Sequence, residues 1–390
     1  MQPPTSPGPN DSNQVARSRL SRRRVLQAAT AAGAGLTLGT ALTTEGASAA
    51  PLPQGTTGAG KPKYDVLLQA TKENSLWGWF PIDRPSVLTV KSGTVVKINA
   101  VNQSGASAVG GPVPYFEALG VPADQVLPEL IDISTIPRTP GSSGHVLTGP
   151  LYIEGAEPGD VLEIRILDLS PRVPYGINST GPGSGVLSGL LAERKTRLLT
   201  LDKHNQYYQF APGIRVPFKP FAGITGVAPP ADSGFVSANP PNRWGGNLDI
   251  KDLTAGSTLF LPVFRPGAQF YIGDTHGAQG HGEIDQTAVE HSMSFTAQFT
   301  VRKGASLVYP RAELPGHMVA TGINADLDVA LQVAATEAIN YLREVTSGTL
   351  SAADAYALCS VAVDFVIAEA VDGNKLVAAY IPKSLLADYL

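Results

Sequence analysis

The sequence predicts a mainly β protein: a β-sandwich or barrel-like body of hairpins, with a smaller α+β part at the C-terminal end. Three observations carry that expectation. A candidate strand meets a glycine turn and a second strand follows at Gly93, Gly159 and Gly256. After the second turn, Leu162, Ile164 and Ile166 alternate with Glu163 and Arg165, the period of a strand with one buried face. The chain also holds 41 Gly and 32 Pro, which suit many short strands joined by turns. The three turns read equally well as degenerate repeats or as shared turn chemistry.

The first fifty residues stand outside this body. Ser21-Arg22-Arg23-Arg24-Val25-Leu26-Gln27 resembles a twin-arginine export signal, with an apolar Ala/Gly/Thr-rich run to Leu42 and a small-residue cleavage site at Ala47-Ser48-Ala49. The run falls short of the ~20 residues needed to span a bilayer, so no stable membrane anchor is expected. The expected organisation is a signal peptide over 1–49, a disordered linker over 50–63 and one domain over 64–390. Within that domain a β-rich body runs to about 320 and a helical and hairpin tail covers 321–390. Cleavage after Ala49 leaves 390 − 49 = 341 residues. The expected partner is the twin-arginine machinery, and the expected destination is periplasmic or extracellular.

Charge and cysteine usage narrow the class. Five arginines, one Asp and one Glu leave with the leader, so 29 basic and 33 acidic residues become 24 and 31, a net of −7. That balance offers no basic stripe for nucleic acid. The single cysteine, Cys359, excludes an internal disulfide framework, and its apolar neighbours predict a buried, inert thiol. Two stretches, Gln103 to Ser143 and Ser170 to Arg243, read as long irregular connections serving function or assembly, and a homo-oligomer is expected.

The chemistry concentrates in Gly273-Asp274-Thr275-His276-Gly277-Ala278-Gln279-Gly280-His281-Gly282-Glu283, closed by Glu290 and His291. Apolar Phe270, Tyr271 and Ile272 lead in as a strand, so Asp274 and His276, two apart, share one face. Imidazole and carboxylate there suit a divalent ion such as zinc. The alternative is a solvated Gly/His/Asp turn. His145, at the head of another candidate strand, is a third ligand or an exposed turn residue. Asn247 and Asp249 follow Gly245-Gly246; they orient a substrate amide, bind the ion, or close an Asx-turn. Glu283, at the end of the flexible loop, is the candidate general base, with Glu290 as its partner, a ligand or a structural pair. His204 and His317 sit in turns and need no function. No Gly-x-Ser-x-Gly elbow is present; Gly141-Ser142-Ser143 keeps a serine route formally open.

The tail changes character. Leu327, Ala330, Leu331, Ala334, Ala338, Ile339 and Leu342 follow helical spacing over 325–344, with Gly348 as a stop. Ser351 with Asp354 marks the cap of a second short helix. Val361, Val363 and Phe365 then alternate, and Asp372-Gly373-Asn374 reads as a tight turn before Leu376, Val377 and Tyr380.

These segments together resemble the acetamidase/formamidase family. Gly273, Asp274, His276, Gln279, Gly280, Gly282 and Glu283 match its Gly-Asp-x-His-x-x-Gln-Gly-Asp-Gly-Glu segment, with His281 where the family has Asp. Residues 144–155 resemble its His-x-x-Thr-Gly-Pro element, Gly245 to Asp249 its Gly-Gly-Asn-x-Asp element, and the tail its Val-Asp-Gly and Ile-Pro-Lys ending. The similarity runs from about Ser86 to Lys383. Trp77 and Trp79 occupy a region where the family often has a histidine. The resemblance implies hydrolysis of short linear amides, such as formamide or acetamide, to a carboxylate and ammonia by metal-activated water. The ion expected is zinc, with calcium as the alternative. The metal set expected is His145, Asp274 and His276; Glu283, Glu290 and Asn247 are catalytic, with Asp249 and His281 as further candidates. The competing reading is an exported, non-catalytic small-molecule-binding protein on the same fold.

Overall fold

The computed structural model describes residues 61–389, and two sheets make up most of it. The larger has nine strands in the order Val66–Gln69, Val95–Asn99, Met293–Arg302, Val161–Pro171, Thr258–Pro262, Arg311–Glu313, His317–Asn324, Lys375–Pro382 and Asp364–Glu369. The smaller runs Pro241–Asn242, Gly245–Asn247, Phe221–Val227, Phe270–His276, Val146–Ile153 and Ser75–Trp77, with Leu88–Val90 parallel to Val146–Ile153. Both are open, so of the two expected mainly β architectures the sandwich is the one formed. The export signal and all of the linker before residue 61 lie outside the described residues. Among the described residues no helix is long and apolar enough to cross a membrane.

Burial of apolar faces joins the sheets. Ile164, Phe295 and Phe299 of the larger sheet share one core with Leu151, Phe270 and Ile272 of the smaller. The rings of Phe270 and Phe299 meet across it at 5.0 Å. Leu162, Ile164 and Ile166 point inward as expected, while Glu163 is half-buried and Arg165 is exposed.

The three glycine turns form, with φ of 93°, 93° and 92° at Gly93, Gly159 and Gly256, but none closes a hairpin. Leu88–Val90 belongs to the smaller sheet and Val95–Asn99 to the larger; the same crossing separates Val146–Ile153 from Val161–Pro171, and Gly245–Asn247 from Thr258–Pro262. Each turn is an arch from one sheet to the other. Turn chemistry reverses the chain, but the partner of each strand is set by which sheet buries its apolar face.

The two long connections are not irregular. Gln103 to Ser143 holds helices Pro112–Glu117 and Pro128–Ser134, each with proline in its first turn. Phe116, Leu130 and Ile133 pack there with Trp77, Val146 and Tyr175 as a second core. Ser170 to Arg243 holds two hairpins, Tyr175–Thr180 with Lys195–Thr200 and Tyr207–Ala211 with Ile214–Pro217, followed by Phe221–Val227.

The helices, their caps and the turn of the tail follow expectation, but Val361 is exposed within the second helix and the expected strand begins only at Asp364. Asp326 caps helix Leu327–Val345 by accepting from the N–H groups of Asp328 and Val329, and Ser351 caps Ala352–Ala362 through Asp354 N–H. Cys359 is buried in that second helix. Asp364–Glu369 and Lys375–Pro382 form the hairpin, and with His317–Asn324 they extend the larger sheet. The boundary expected near 320 therefore falls inside a strand. Asp364 itself is exposed.

Candidate functional site

Three neighbouring elements bring the cluster together. Strand Phe270–His276 is central in the smaller sheet and buried at all seven positions. It ends with Asp274 and His276 beside each other, His276 Nε2 lying 3.3 Å from Asp274 Oδ1. The backbone of Glu290 bridges His276, placing its Oε2 3.5 Å from the same Nε2. Beyond strand Gly245–Asn247, Asp249 presents Oδ1 3.5 Å from His276 Nδ1. A further bridge, Gly282 with Glu369, ties the glycine-rich loop to the C-terminal hairpin and sets Glu283 beside Glu369 and Asp372.

Six carboxylates thus surround one imidazole. Asp249, His276 and Glu283 form one set; Asp274, His276 and Glu290 a second; Asp249, Glu283, Glu369 and Asp372 a third, with the ligand atoms of each set within 4.8 Å of one another. Among the described residues none of the six carboxylates meets a lysine or arginine; their only ion-pair partners are His145 and His276. Both oxygens of Asp249, both ring nitrogens of His276 and Glu369 Oε2 are buried without a hydrogen-bond partner. Leaving such groups unsatisfied costs about 1–3 kcal/mol each, more where they are charged. A divalent cation held in one of the first two sets would take up its open oxygens and one ring nitrogen of His276, and the carboxylate-plus-imidazole donors suit zinc and harder ions. The residues fit a metal.

Strain and crowding point to the same place. Asp249, Asp274 and Glu283 hold left-handed φ values of 48°, 49° and 43°, each unfavourable for a residue with a Cβ. A Cβ on Gly223 would sit 2.6 Å from Asp249 Oδ1 and 2.8 Å from His276 Cε1. Only glycine lets that strand pass behind the two.

Charges are shifted accordingly. Burial pushes the Asp249 carboxyl well above its ordinary range, helped by Glu369, Asp274 and Asp372. Burial does the same to Glu283, with Asp249 adding to it, and to Glu290, with Asp274 adding. Glu369 is raised to about 8 by burial and by Asp372. Asp274 goes the other way: burial opposes its charge, but His276, His145 and the Gln103 amide together hold it below the usual carboxylate range. For His276, burial is outweighed by Glu290 and Asp274, which favour the cationic ring.

A cavity of about 330 Å³ opens onto the cluster, with Asp274, Glu283, Glu290 and Asp372 on its wall. His145 also lines it. Its Nε2 is 3.5 Å from Asp274 Oδ2 and its Nδ1 meets Ser143 Oγ at 2.8 Å, so it stands at the rim, outside the three ligand sets. Ser143 fixes that ring and does not line the cavity. Asn247 is buried behind Asp372, to which it donates at 2.6 Å. His281 is not brought in: its Nε2 faces Asp252 at 3.5 Å and its ring packs edge-on against Tyr380. His291 is a satisfied core histidine, bonded to Tyr208 Oη and Val173 O. Trp79 stacks on Phe235, and Trp77 donates to Ile136 O, so both tryptophans belong to packing.

Sequence reasoning missed four site residues. Glu369 and Asp372 come from the tail, where Asp372-Gly373-Asn374 showed only a turn. Asn102 and Gln103 donate to Glu290 at 2.8 and 3.1 Å, and Gln103 to Asp274 at 2.6 Å, from a stretch without motif.

The chain matches the family model described as "Acetamidase/Formamidase family" over residues 132–234 and 231–387. A putative formamidase of Schizosaccharomyces pombe is 28% identical over 296 residues, covering 62% of this chain and 67% of that one. An acetamidase of Mycolicibacterium smegmatis is 30% identical over 200 residues, covering 36% of this chain and 49% of its own length. These alignments thus span about half to two thirds of those relatives. The crystal structure of an acetamidase from Bacillus halodurans is 26% identical, with a TM-score of 0.68, covering 83% of this chain and 99% of that chain.

Proposed function

Because the chain belongs to the acetamidase/formamidase family, we propose that it is an amidohydrolase that cleaves the carbon–nitrogen bond of short linear amides, with a divalent cation held in the acidic cluster. One observation carries the proposal: all four polar side-chain atoms of Asp249 and His276 are buried without a hydrogen bond, among carboxylates. Groups left open at that cost are open for something that binds. His276 through Nε2, with Asp274 and Glu290, would hold the cation; Asp249 would stand at the other ring nitrogen, and Glu369 with Asp372 would complete an oxygen-rich side of the cluster. Bound there, the cation supplies Lewis acidity that polarises an amide carbonyl and eases deprotonation of water.

The chain's own residues do the rest. Glu283 lines the cavity, and burial raises its carboxyl toward the range where a group both accepts and returns a proton near neutrality. It takes the proton of the attacking water as oxygen bonds to the carbonyl carbon. It then gives that proton to the amide nitrogen as the carbon–nitrogen bond breaks, leaving a carboxylate and ammonia. Glu290 is held by two side-chain amides, and this fixes its orientation toward His276. Zinc is the ion this mixed donor set favours, calcium the one an oxygen-only set favours.

The proposal extends to the route and the assembly. Arg22-Arg23 and the Ala47-Ser48-Ala49 site support twin-arginine export of a homo-oligomeric enzyme, and lysine at both arginine positions should retain the protein inside the cell. The deciding experiment measures metal content and ammonia release on the same purified protein with formamide, acetamide and longer amides. Bound metal together with amide-dependent ammonia supports the enzyme. Tight amide binding with no ammonia from a metal-loaded protein supports the non-catalytic reading instead.

A further inference from the structure

The cavity is larger than the smallest amides need. Formamide and acetamide have three and four heavy atoms; at about 30 Å³ per water-sized group they occupy roughly 100 Å³. The cavity measures about 330 Å³, so much of it lies beyond any amide group held at the cluster.

That surplus has a distinct chemistry. Tyr115, Ser179, Ser184 and Arg194 line another part of the cavity, on the helix-bearing segment and at the loop end of the Tyr175–Thr180/Lys195–Thr200 hairpin. Arg194 is the only lysine or arginine on the cavity wall. Among the described residues it meets no carboxylate within ion-pair distance; its one side-chain contact is a long bond, 3.4 Å, from Nη1 to Ser179 Oγ. Ser179 Oγ in turn lies 3.1 Å from Thr196 Oγ1. The phenol-bearing Tyr115 lines the same cavity as Arg194 and the acidic cluster. An exposed guanidinium on the cavity wall, with one hydroxyl beside it and no carboxylate on it, can take a carboxylate in two parallel hydrogen bonds.

We infer that the preferred substrates are linear amides carrying a carboxylate at the end away from the amide, such as monoamides of short dicarboxylic acids, with Arg194 receiving that carboxylate. The inference rests on the amidohydrolase reading of the same site. The reaction is unchanged: water adds to the amide carbon, the carbon–nitrogen bond breaks, and the products are a dicarboxylate and ammonia. A bound cation would offset part of the negative charge of the carboxylates on this wall, and Arg194 supplies a positive charge there.

The test compares malonamate, succinamate and glutaramate with neutral amides of the same lengths, in the metal-loaded wild type and in Arg194→Gln and Arg194→Lys. At least one carboxylated amide should exceed its neutral counterpart in kcat/KM by roughly 10–100-fold, as expected of one charge-assisted hydrogen-bonded pair. The advantage should lie mainly in KM, shrink in Arg194→Lys and vanish in Arg194→Gln. Calorimetric binding of the corresponding dicarboxylates gives a second readout that needs no turnover. Turnover of neutral amides with no carboxylate preference, or a preference unchanged in Arg194→Gln, overturns the inference and leaves the amidohydrolase standing. Arg194-dependent dicarboxylate binding without ammonia from any amide overturns the amidohydrolase and retains the anion subsite.

Discussion

Asp160 and Asp249 are both buried aspartates in turns that follow the smaller sheet, and they differ in what their oxygens meet. Asp160 accepts from Glu157 N–H at 2.8 Å, Lys303 Nζ at 2.7 Å and Gly304 N–H at 3.3 Å. Burial disfavours its charge, yet these donors outweigh burial and hold its carboxyl below the ordinary value. Asp249 has no donor on either oxygen, and its carboxyl is pushed up. The first carboxylate is used by the fold; the second is withheld from it. The same contrast separates His291, with both nitrogens bonded, from His276, with neither. Burial alone therefore does not mark a functional group in this molecule. What sets Asp249 and His276 apart from Asp160 and His291 is burial without hydrogen bonds inside a cluster of ligand-type groups.

The largest effect that would break this comparison lies at Asp249. In Asp249→Asn, bound metal and ammonia release should fall to background, while thermal stability of the metal-free protein holds or rises, because a buried carboxyl without a hydrogen-bond donor has gone. Metal analysis and calorimetry on the same preparation check it; a large drop in metal-free stability would make Asp249 a structural group like Asp160. Next comes Glu283→Gln, which should keep its metal and lose ~10²–10⁴-fold in turnover. Full activity in that enzyme would remove Glu283 from its role as base.

Gly223→Ala sharpens the contrast from behind. Its methyl would press on Asp249 and His276, and overpacking of this kind costs about 1–3 kcal/mol. Weakened metal affinity at nearly normal secondary structure is the expected signature, read by metal titration and circular dichroism. The smallest effect belongs to Asp160→Asn, about 1–3 kcal/mol of stability at neutral pH from lost donors, with activity unchanged. Since the folded carboxyl titrates below the unfolded value of about 3.9, the contribution is complete above that value. It disappears as pH falls through the lower folded one, so wild type and variant should converge in acid. Denaturation midpoints across pH 2–7 test the sign.

How legible all this was in the chain depends on locality. Asp274, His276 and Glu283 were visible because one strand and its loop carry them within eleven residues of Gly273. Glu290 stood out for the same reason, and it lies where the loop returns. Glu369 and Asp372 were not visible: they join the cluster through a bridge between Gly282 and Glu369, a contact that no periodicity announces. The arches failed in a related way, for a strand, a glycine turn and another strand look alike whether the second strand pairs with the first or crosses to the opposite sheet. Asn247 matched a motif and yet serves Asp372. The helices between 112 and 134 were hidden because their short length leaves too few turns for a helical period to show.

The bridge from Gly282 to Glu369 also affects how the protein is made. The last two carboxylates of the cluster arrive with a hairpin whose first strand ends at Glu369, 369 − 290 = 79 residues after Glu290. On the ribosome, Asp249, Asp274, His276, Glu283 and Glu290 are all synthesised before the chain can close that corner. A nascent chain, or a product of premature termination before residue 369, keeps the recognisable motif and lacks the oxygen-rich side of the cluster. A chain that stops short of this hairpin thus carries the sequence motif without the whole cluster, so the motif by itself does not make the site.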